Sequence, residues 1–312
     1  MVNARAPILS RAWLVVWLTS LLLAPAAFRA AHADAPGTRQ AAVLRAKYEA
    51  LRSQLASNQF QRPLHLDSAQ GTDGLTGEIY AVIDHPFAAS EAVLSKPANW
   101  CDILILHLNV KYCRASADTA QSILTLYVGR KYDQPLEDAY RVEFAYRLAT
   151  ATSAYLQAVL TAGEGPLDTK DYRITLEAVP LEAERTFLHF TYSYSADLVA
   201  RLAMQAYLST LGAHKVGFTV VGNDSDGKPE YIAGARGAVE RNTMRYYLAI
   251  DAYLNSLSAP PREQLDTRLR DWFVSTERYP RQLHEMDERE YLRMKRREYE
   301  RQRAVPEGSR RK

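Results

Sequence analysis

Five β-rich segments follow one another between residues 122 and 195, and they restrict the chain to folds built on an antiparallel sheet. In the clearest segment, residues 140–150, apolar side chains alternate with charged ones, so one face of the strand is apolar. That face carries Tyr140, Val142, Phe144, Tyr146 and Leu148. The other segments cover residues 123–129, 155–161, 172–179 and 186–195, and the turn-rich connections between them suit a meander.

Helical patterns flank this run of strands. Residues 235–257 predict one long helix that buries a stripe made of Val239, Thr243, Tyr246, Ile250, Tyr253 and Leu257. Residues 38–60 predict an amphipathic helix docked on the core. The alternating residues 64–68 and the strand-like residues 77–84 predict a hairpin between the two helical patterns.

The connections between these elements are less regular. Residues 88–94 favour a helix, and the apolar residues 103–110 suit either a helix or a strand. Residues 198–211 predict another helix, and residues 216–221 predict a strand that ends in the turn at 222–227.

The end of the chain is polar. Residues 265–274 predict a helix, and residues 281–303 alternate in charge. The favoured interpretation of the charged stretch is a solvated helix held by pairs at i, i+4. The alternative is a basic appendage that touches anionic lipid or a partner. Residues 306–312 are predicted to be disordered.

The opening of the domain carries a family resemblance. Tyr80-Ala81-Val82-Ile83-Asp84-His85-Pro86-Phe87, followed by Leu94, Pro97 and Trp100, resembles the first strand, turn and helix pair of the START-like, helix-grip superfamily. Across residues 77–257 the resemblance implies an α+β fold in which a curved antiparallel sheet wraps a long C-terminal helix and leaves a cavity. It also implies apolar ligands, which many relatives bind. The predicted helix at 198–211 and the cysteine pair depart from that family.

The domain organisation follows from these patterns. We expect a signal peptide at residues 1–33, an N-terminal helix at 34–62, a START-like domain at 63–258 and a charged helical extension at 259–312. Residues 100–104 and 107–109 also resemble a family of secreted bacterial proteins, a likeness that supplies no function.

The first 33 residues have the order of a secretory leader. Arg5 and Arg11 precede an apolar run at residues 12–28, and Ala31-His32-Ala33 follows as a cleavage site. A membrane span needs about 20 apolar residues, and this run is shorter. We therefore expect cleavage near Ala33 and a periplasmic or secreted protein, with an uncleaved anchor as the alternative.

The two cysteines, Cys101 and Cys113, lie in one short segment. In an oxidising compartment such a pair predicts a structural disulfide. The alternative is a redox or metal pair, but the spacing is neither Cys-x-x-Cys nor that of a zinc knuckle.

Charge and motifs exclude several classes of function. The formal net charge of +3 is too small to indicate nucleic acid as a partner. The sequence has no nucleophile elbow, Walker A loop, zinc-protease motif or dinucleotide fingerprint. Its seven histidines stand singly, so we expect no metal and no cofactor, and an enzyme is not favoured.

Three groups of residues are candidates for a site. His107 and Asn109 lie in or beside an apolar run, where a histidine is more often a satisfied core residue. The first half of the long helix carries several charged or polar residues: Arg236, Glu240, Arg241, Asn242 and Arg245. These residues form either a ladder of charge pairs, or a site in which one guanidinium faces inward and binds an anionic headgroup. Tyr140, Phe144, Tyr146, Phe190, Tyr192 and Tyr194 form aromatic strand faces that suit either a pocket or an ordinary core.

These features support three hypotheses. The leading one is a carrier that binds a hydrophobic, lipid-like molecule between the sheet and the long helix, through His107, Asn109, Tyr146, Tyr192, Tyr194, Arg241 and Arg245. The second is an envelope interaction protein, which uses residues 38–60 and 281–303 to contact a protein partner or a membrane surface. A cyclase or hydrolase, which needs His107, Asn109 or Glu143 to converge, ranks last.

Overall fold

The computed structural model describes residues 37–72, 74–116, 122–182, 184–196 and 215–304, and residues 34–312 cluster into one unit. In this part of the chain an eight-stranded sheet and a two-stranded ribbon combine with seven α-helices. The sheet strands are β1 (Leu64–Gln70), β2 (Gly74–Ile83), β3 (Val110–Ala115), β4 (Ser122–Val128), β5 (Tyr140–Thr152), β6 (Tyr155–Glu164), β7 (Thr169–Pro180) and β8 (Thr186–Ala196). The ribbon strands are β9 (Val220–Asn223) and β10 (Pro229–Tyr231). The helices are α1 (Thr38–Ala56), α2 (Phe87–Leu94), α3 (Pro97–Leu104), α4 (Gly234–Ser256), α5 (Gln264–Glu277), α6 (Pro280–Leu283) and α7 (Glu288–Ala304).

The sheet order is β1-β2-β8-β7-β6-β5-β4-β3, and every pair is antiparallel. Strands that follow one another in the chain are neighbours in the sheet, except for β2 and β3. Strand β2 pairs instead with β8, and Ile79 lies opposite Phe190. The hairpin and the meander predicted from the sequence are both confirmed. The pairing of β2 with β8 brings the first and last strands of the run together, and α4 packs against β1, β2 and β8. The fold is a helix-grip fold.

The inner face of the sheet and α4 share one apolar core. Alternate residues of each strand point into it, and Ile79, Leu176 and Leu248 are fully buried. Burial of each such side chain contributes about 1.5–3 kcal/mol. The predicted stripe of α4 is confirmed, and burial extends well beyond it, because α5 covers the side of α4 that faces away from the sheet.

The outer face of the sheet is covered by α1 at β1, β2, β6, β7 and β8, as predicted for a docked amphipathic helix. Leu44, Leu51 and Leu55 of α1 pack over Val82 and Phe187. The sheet is therefore buried on both faces under this helix, and the outer cluster is separate from the main core.

The segment before β3 contains both a helix and a strand. Residues 103–110 begin in the last turn of α3, pass through a turn and enter β3. Cys101 at the end of α3 and Cys113 in β3 form the predicted disulfide. The disulfide closes a loop that contains His107 and Asn109.

The expectation of a solvated charged helix is wrong for α7. Tyr291, Met294, Lys295 and Glu298 of this helix are buried against the core. Lys295 and Glu298 form an ion pair at 2.5 Å. The alternating charge in the sequence did not indicate that this helix is buried, because two of the buried residues are themselves charged.

Four other predictions, on segments outside α7, have different outcomes. The predicted strand at 216–221 is wrong for residues 216–219, and β9 begins only at Val220 and pairs with β10 alone. The predicted helix at 198–211, the leader at 1–33 and the tail at 306–312 lie outside the described residues. Within the described ranges, none of the helices combines the length and the apolar character of a membrane span.

Candidate functional site

Aromatic rings connect the inner face of the sheet to the middle of α4. Tyr172 of β7 stacks on Tyr194 of β8 at a centroid distance of 5.3 Å, and it lies 6.2 Å from Tyr192. Tyr192 in turn contacts Tyr246 of α4 at 5.3 Å. Tyr246 stacks on His107 at 4.7 Å. A continuous aromatic path therefore runs from the place where β7 begins and β8 ends to the His107 loop, residues 105–109.

His107 is held as a neutral hydrogen-bond donor. The backbone N–H of Asn109 donates to its Nδ1 at 3.1 Å, which leaves the proton of a neutral imidazole on Nε2. Burial first, and then the charges of Arg245, Lys295 and Lys131, hold the pKa of His107 well below its ordinary value. The ring is thus neutral at neutral pH.

The Nε2–H group of His107 has no hydrogen-bond partner among the described residues, although it is buried. The side chain of Asn242, one helical turn before Tyr246, makes a weak hydrogen-bonding contact with the ring and raises the pKa of His107. This contact falls outside ordinary hydrogen-bond geometry, so it does not satisfy the Nε2–H donor. A buried donor without a partner costs about 1–3 kcal/mol, so this position favours an acceptor from outside the chain.

Arg245 supplies a second donor of this kind. Its Nη2 atom donates to Glu285 at 2.7 Å and to the carbonyl of Leu283 at 3.3 Å, while its buried Nε–H has no partner among the described residues. Burial lowers the pKa of Arg245, and the charge of Glu285 only partly offsets this. The guanidinium remains charged, because even a lowered arginine pKa stays far above neutral pH.

Positive charge is in excess around Glu285. This carboxylate pairs with Lys131 at 2.5 Å, with Lys215 at 3.5 Å and with Arg245 at 2.7 Å. Three cations thus share one anion, which leaves two formal positive charges. Burial and the charge of Arg245 lower the pKa of Lys131 to about 8, as expected for a cation among cations. We call His107, Asn242, Arg245 and Tyr246 the polar end of the aromatic path.

Five of the seven predicted ligand residues lie along this path or beside it: His107, Tyr192, Tyr194, Arg241 and Arg245. Arg241 is buried one turn before Arg245, where it donates to the carbonyl of Val216 at 3.1 Å. Its charge also acts on Tyr194, although burial dominates and raises the pKa of that phenol.

The other two predicted residues have structural partners. Asn109 donates to the carbonyl of Gly129 at 2.6 Å and so fixes the His107 loop to the end of β4. Tyr146 donates to the carbonyl of Ser95 at 2.8 Å, which holds the turn between α2 and α3. Tyr140, expected on the inner face, is 54% exposed at the start of β5. Leu148 is 39% exposed because the register of β5 shifts just after it.

The predicted charge ladder on α4 is wrong. Glu240 is fully buried and accepts hydrogen bonds from the Ser68 hydroxyl, the backbone N–H of Phe218, and both the N–H and the hydroxyl of Thr219. Arg236 donates to Ser68 instead. The carboxylate therefore fixes the irregular residues 216–219 to the helix, which is why they do not extend as a strand.

Several residues of the site escaped the sequence analysis. Tyr172 alternates with Ile174 and Leu176 in β7, so its inward direction could have been inferred. Lys131 and Glu285 lie in loops far apart in the chain, and no pattern connects them. Within the described residues no group of three or more His, Cys, Asp or Glu side chains could hold a metal ion.

The convergence needed for an enzyme of the cyclase or hydrolase type is incomplete. Glu143 lies on the outer face of β5, where it is about half exposed and pairs with Arg141. It therefore does not meet His107.

The clefts on the described surface include one of about 520 Å³ between α2 and the end of α4, which is lined by His85, Ser90 and Asn255 among others. Another, of about 770 Å³, lies between α5 and α7. Its lining consists of four arginines, two acidic residues and one leucine: Arg270, Arg289, Arg293, Arg296, Asp287, Glu288 and Leu292.

Comparisons with solved structures return helix-grip proteins at low similarity. Truncated norcoclaurine synthase from Thalictrum flavum is 13% identical with a TM-score of 0.33, over 46% of this chain and 91% of that one. Human StAR-related lipid transfer protein 5 is 8% identical with a TM-score of 0.29, over 55% and 90%. The Zhui aromatase/cyclase from a Streptomyces species is 11% identical with a TM-score of 0.30, over 67% and 94%.

Values this low carry no information about ligand or activity. No protein-family model and no curated protein matches the sequence.

Proposed function

We propose that this protein binds an amphipathic small molecule, with an apolar body and an acidic group, between the curved sheet and α4. The acidic group lies at the polar end of the aromatic path. The apolar body lies along the tyrosines of β7 and β8. The protein acts as a carrier or binding protein and does not transform its ligand.

The observation that carries this proposal is the pair of buried donors without partners, His107 Nε2–H and Arg245 Nε–H. Native proteins pair nearly all buried polar groups, and these two are among six buried side-chain atoms without a partner in the described residues. They differ from the other four because the charge of Arg245 acts on His107 and the ring of His107 stacks on the aromatic path. A carboxylate or phosphate is an acceptor for such donors, and the two excess positive charges around Glu285 favour an anion over a neutral acceptor.

The aromatic path suits the apolar body of such a ligand. Tyrosine rings offer apolar area with hydroxyl groups at their tips. Tyr172 is the ring at the open end, and it is only partly buried, with its hydroxyl 2.6 Å from Thr169 Oγ1.

The setting outside the cytoplasm is part of the proposal. The leader-like residues 1–33 and the Cys101–Cys113 disulfide both support it, because disulfides persist in oxidising compartments. A carrier there would move a poorly soluble acid between surfaces.

A pair of matched ligands tests the proposal. Lauric acid and lauryl alcohol have the same chain and differ in the head group. We expect the wild type to bind the acid roughly tenfold more tightly or better, since a charge-assisted hydrogen bond contributes about 1.5–3 kcal/mol. Isothermal titration calorimetry measures both affinities.

The variant His107→Phe keeps the ring stack on Tyr246 and removes the Nε2–H donor. It should lose most of the preference for the acid. His65→Phe makes the same change on β1, away from the aromatic path, and should keep the preference. Equal affinities for acid and alcohol in the wild type, or no binding of either, would exclude an anionic head group at His107.

A further inference from the structure

The cleft between α5 and α7 is lined by four arginines and two acidic residues, Asp287 and Glu288, and two of the arginines have no role in the fold. Arg289 and Arg293 lie one turn apart on the exposed side of α7, and neither makes a hydrogen bond or ion pair with a described residue. Like charges at this spacing repel by a few tenths of a kcal/mol in a helix. Their position is therefore not explained by stability.

Two further arginines complete this arginine cleft. Arg270 of α5 pairs with Glu288 at 3.0 Å, and Arg296 pairs with Asp266 at 2.9 Å. Each pair uses one N–H group of its guanidinium and leaves the others available. Leu292 and Asp287 also line the cleft.

The opposite side of α7 accounts for its attachment to the protein. Tyr291 donates to the carbonyl of Leu106, and Lys295 donates to the carbonyls of His107 and Val110. Arg289 and Arg293 are thus free of any role in docking the helix. A guanidinium offers a planar fork of donors that matches the oxygens of phosphate, and several forks around one concave space match a group with several anionic oxygens.

We propose that the arginine cleft is a second binding site, which takes a phosphate group through Arg289 and Arg293, with Arg270 and Arg296 at its sides. The phosphate belongs either to a soluble phosphorylated molecule or to the headgroup of an anionic lipid. The site is independent of the ligand between the sheet and α4.

Two probes distinguish a soluble phosphorylated molecule from an anionic lipid as the source of the phosphate. Binding of inorganic pyrophosphate to the full chain is measured by calorimetry. Binding to phosphatidylcholine vesicles, with and without phosphatidylglycerol, is measured by co-sedimentation. The test variant is the double substitution Arg289→Gln and Arg293→Gln, which changes two exposed side chains without partners and should leave the thermal unfolding temperature unchanged.

The matched control is Arg262→Gln with Arg278→Gln. It removes the same net charge from exposed positions outside the cleft. We expect the cleft variant to weaken binding roughly tenfold or more, and the control to leave it nearly unchanged. Pyrophosphate binding with this pattern identifies a soluble phosphate, and binding confined to phosphatidylglycerol vesicles identifies a lipid headgroup.

Two results would overturn the proposal. Equal weakening by both double variants would mean that overall charge, and not the cleft, attracts the probe. Failure of the wild type to bind either probe would remove the site altogether. Neither result bears on the affinity for lauric acid, which tests the other site.

Discussion

The ammonium group of Lys295 lies 3.1 Å from the carbonyl oxygen of His107. A charged helix near the end of the chain thereby holds the loop that carries the main residue of the candidate site. The same ammonium also donates to Val110 at 2.8 Å and pairs with Glu298, which in turn pairs with Lys111.

Replacement of this buried cation is expected to be costly. In Lys295→Met, the carbonyls of the loop lose their donor and Glu298 keeps only Lys111. Each buried carbonyl left without its donor costs about 1–3 kcal/mol, while the remaining Lys111 keeps Glu298 paired. Urea denaturation should show this loss, whereas Arg262→Gln, at an exposed position, should change the free energy of unfolding by less than about 0.5 kcal/mol. A small loss in Lys295→Met would mean that α7 is solvated after all.

The disulfide should stabilise the protein through the same loop. It joins residues separated by 12 positions, and closure of such a loop contributes about 3 kcal/mol when the native geometry is kept. We expect a reducing agent to lower the thermal unfolding temperature of the wild type and to leave Cys101→Ala/Cys113→Ala unaffected. An unfolding temperature that does not respond to the reductant would show that the cysteines are not paired in solution.

A histidine on the outer face of the sheet should make stability depend on pH. Burial alone would lower the pKa of His189, but hydrogen bonds and charge from Glu177 and Glu78 outweigh it and raise the pKa. The protonated ring lies 2.9 Å from Glu177 and 2.8 Å from Glu78. Its contribution is complete below the unfolded pKa of about 6.5 and is lost as the pH rises through the higher folded pKa.

The two glutamates act in the opposite direction. A hydrogen bond from His189 is the main cause of the lowered pKa of Glu78, and His189 and Tyr155 outweigh burial to lower that of Glu177. Their contribution is lost as the pH falls through those lowered values. The difference in unfolding free energy between wild type and His189→Gln should therefore be largest near pH 5–6 and smaller at pH 9. A difference that does not change with pH would contradict a charged His189.

His107, Lys131 and Lys295 also titrate, and the comparison with His189→Gln removes their common contribution. Burial is the first cause of the lowered pKa of each. Each resists protonation in the folded state, so each favours stability at higher pH, the reverse of His189.

The carboxylate of Glu240 provides a test of the irregular segment before β9. In Glu240→Gln, the amide N–H₂ group faces other donors, and we expect a loss of about 2–3 kcal/mol in the free energy of unfolding. Amide hydrogen exchange at Phe218 and Thr219 should accelerate at the same time. Glu290→Gln on the exposed side of α7 serves as the control, and an equal effect in both variants would show that Glu240 does not hold this segment.

The fold was largely predictable from the sequence because its signals are local. The alternation in β5 and the apolar stripe of α4 report directly which faces are buried. The buried side of α7 was not predictable, since Lys295 and Glu298 satisfy each other across one turn and charge is ordinarily exposed.

The candidate site was predictable only in part. Tyr192 and Tyr194 followed from strand alternation, and His107 from its place in an apolar run. Glu285 could not be predicted as part of the site, because its partners Lys131 and Arg245 are distant in sequence and meet it only after α5 and α6 have packed. The prediction of a charge ladder on α4 was wrong for a related reason. Helical spacing makes Arg236 and Glu240 neighbours, but each of them forms a hydrogen bond with Ser68 of β1 instead.

The first measurement to make is native mass spectrometry of the protein purified from its producing cells, followed by organic extraction. We expect a bound species that is lost on denaturation and is extracted as an acid with an apolar body. We also expect His107→Phe to carry markedly less of that species. A mass that matches the chain alone, and that does not change after addition of lauric acid or other apolar acids, would exclude a bound acid between the sheet and α4.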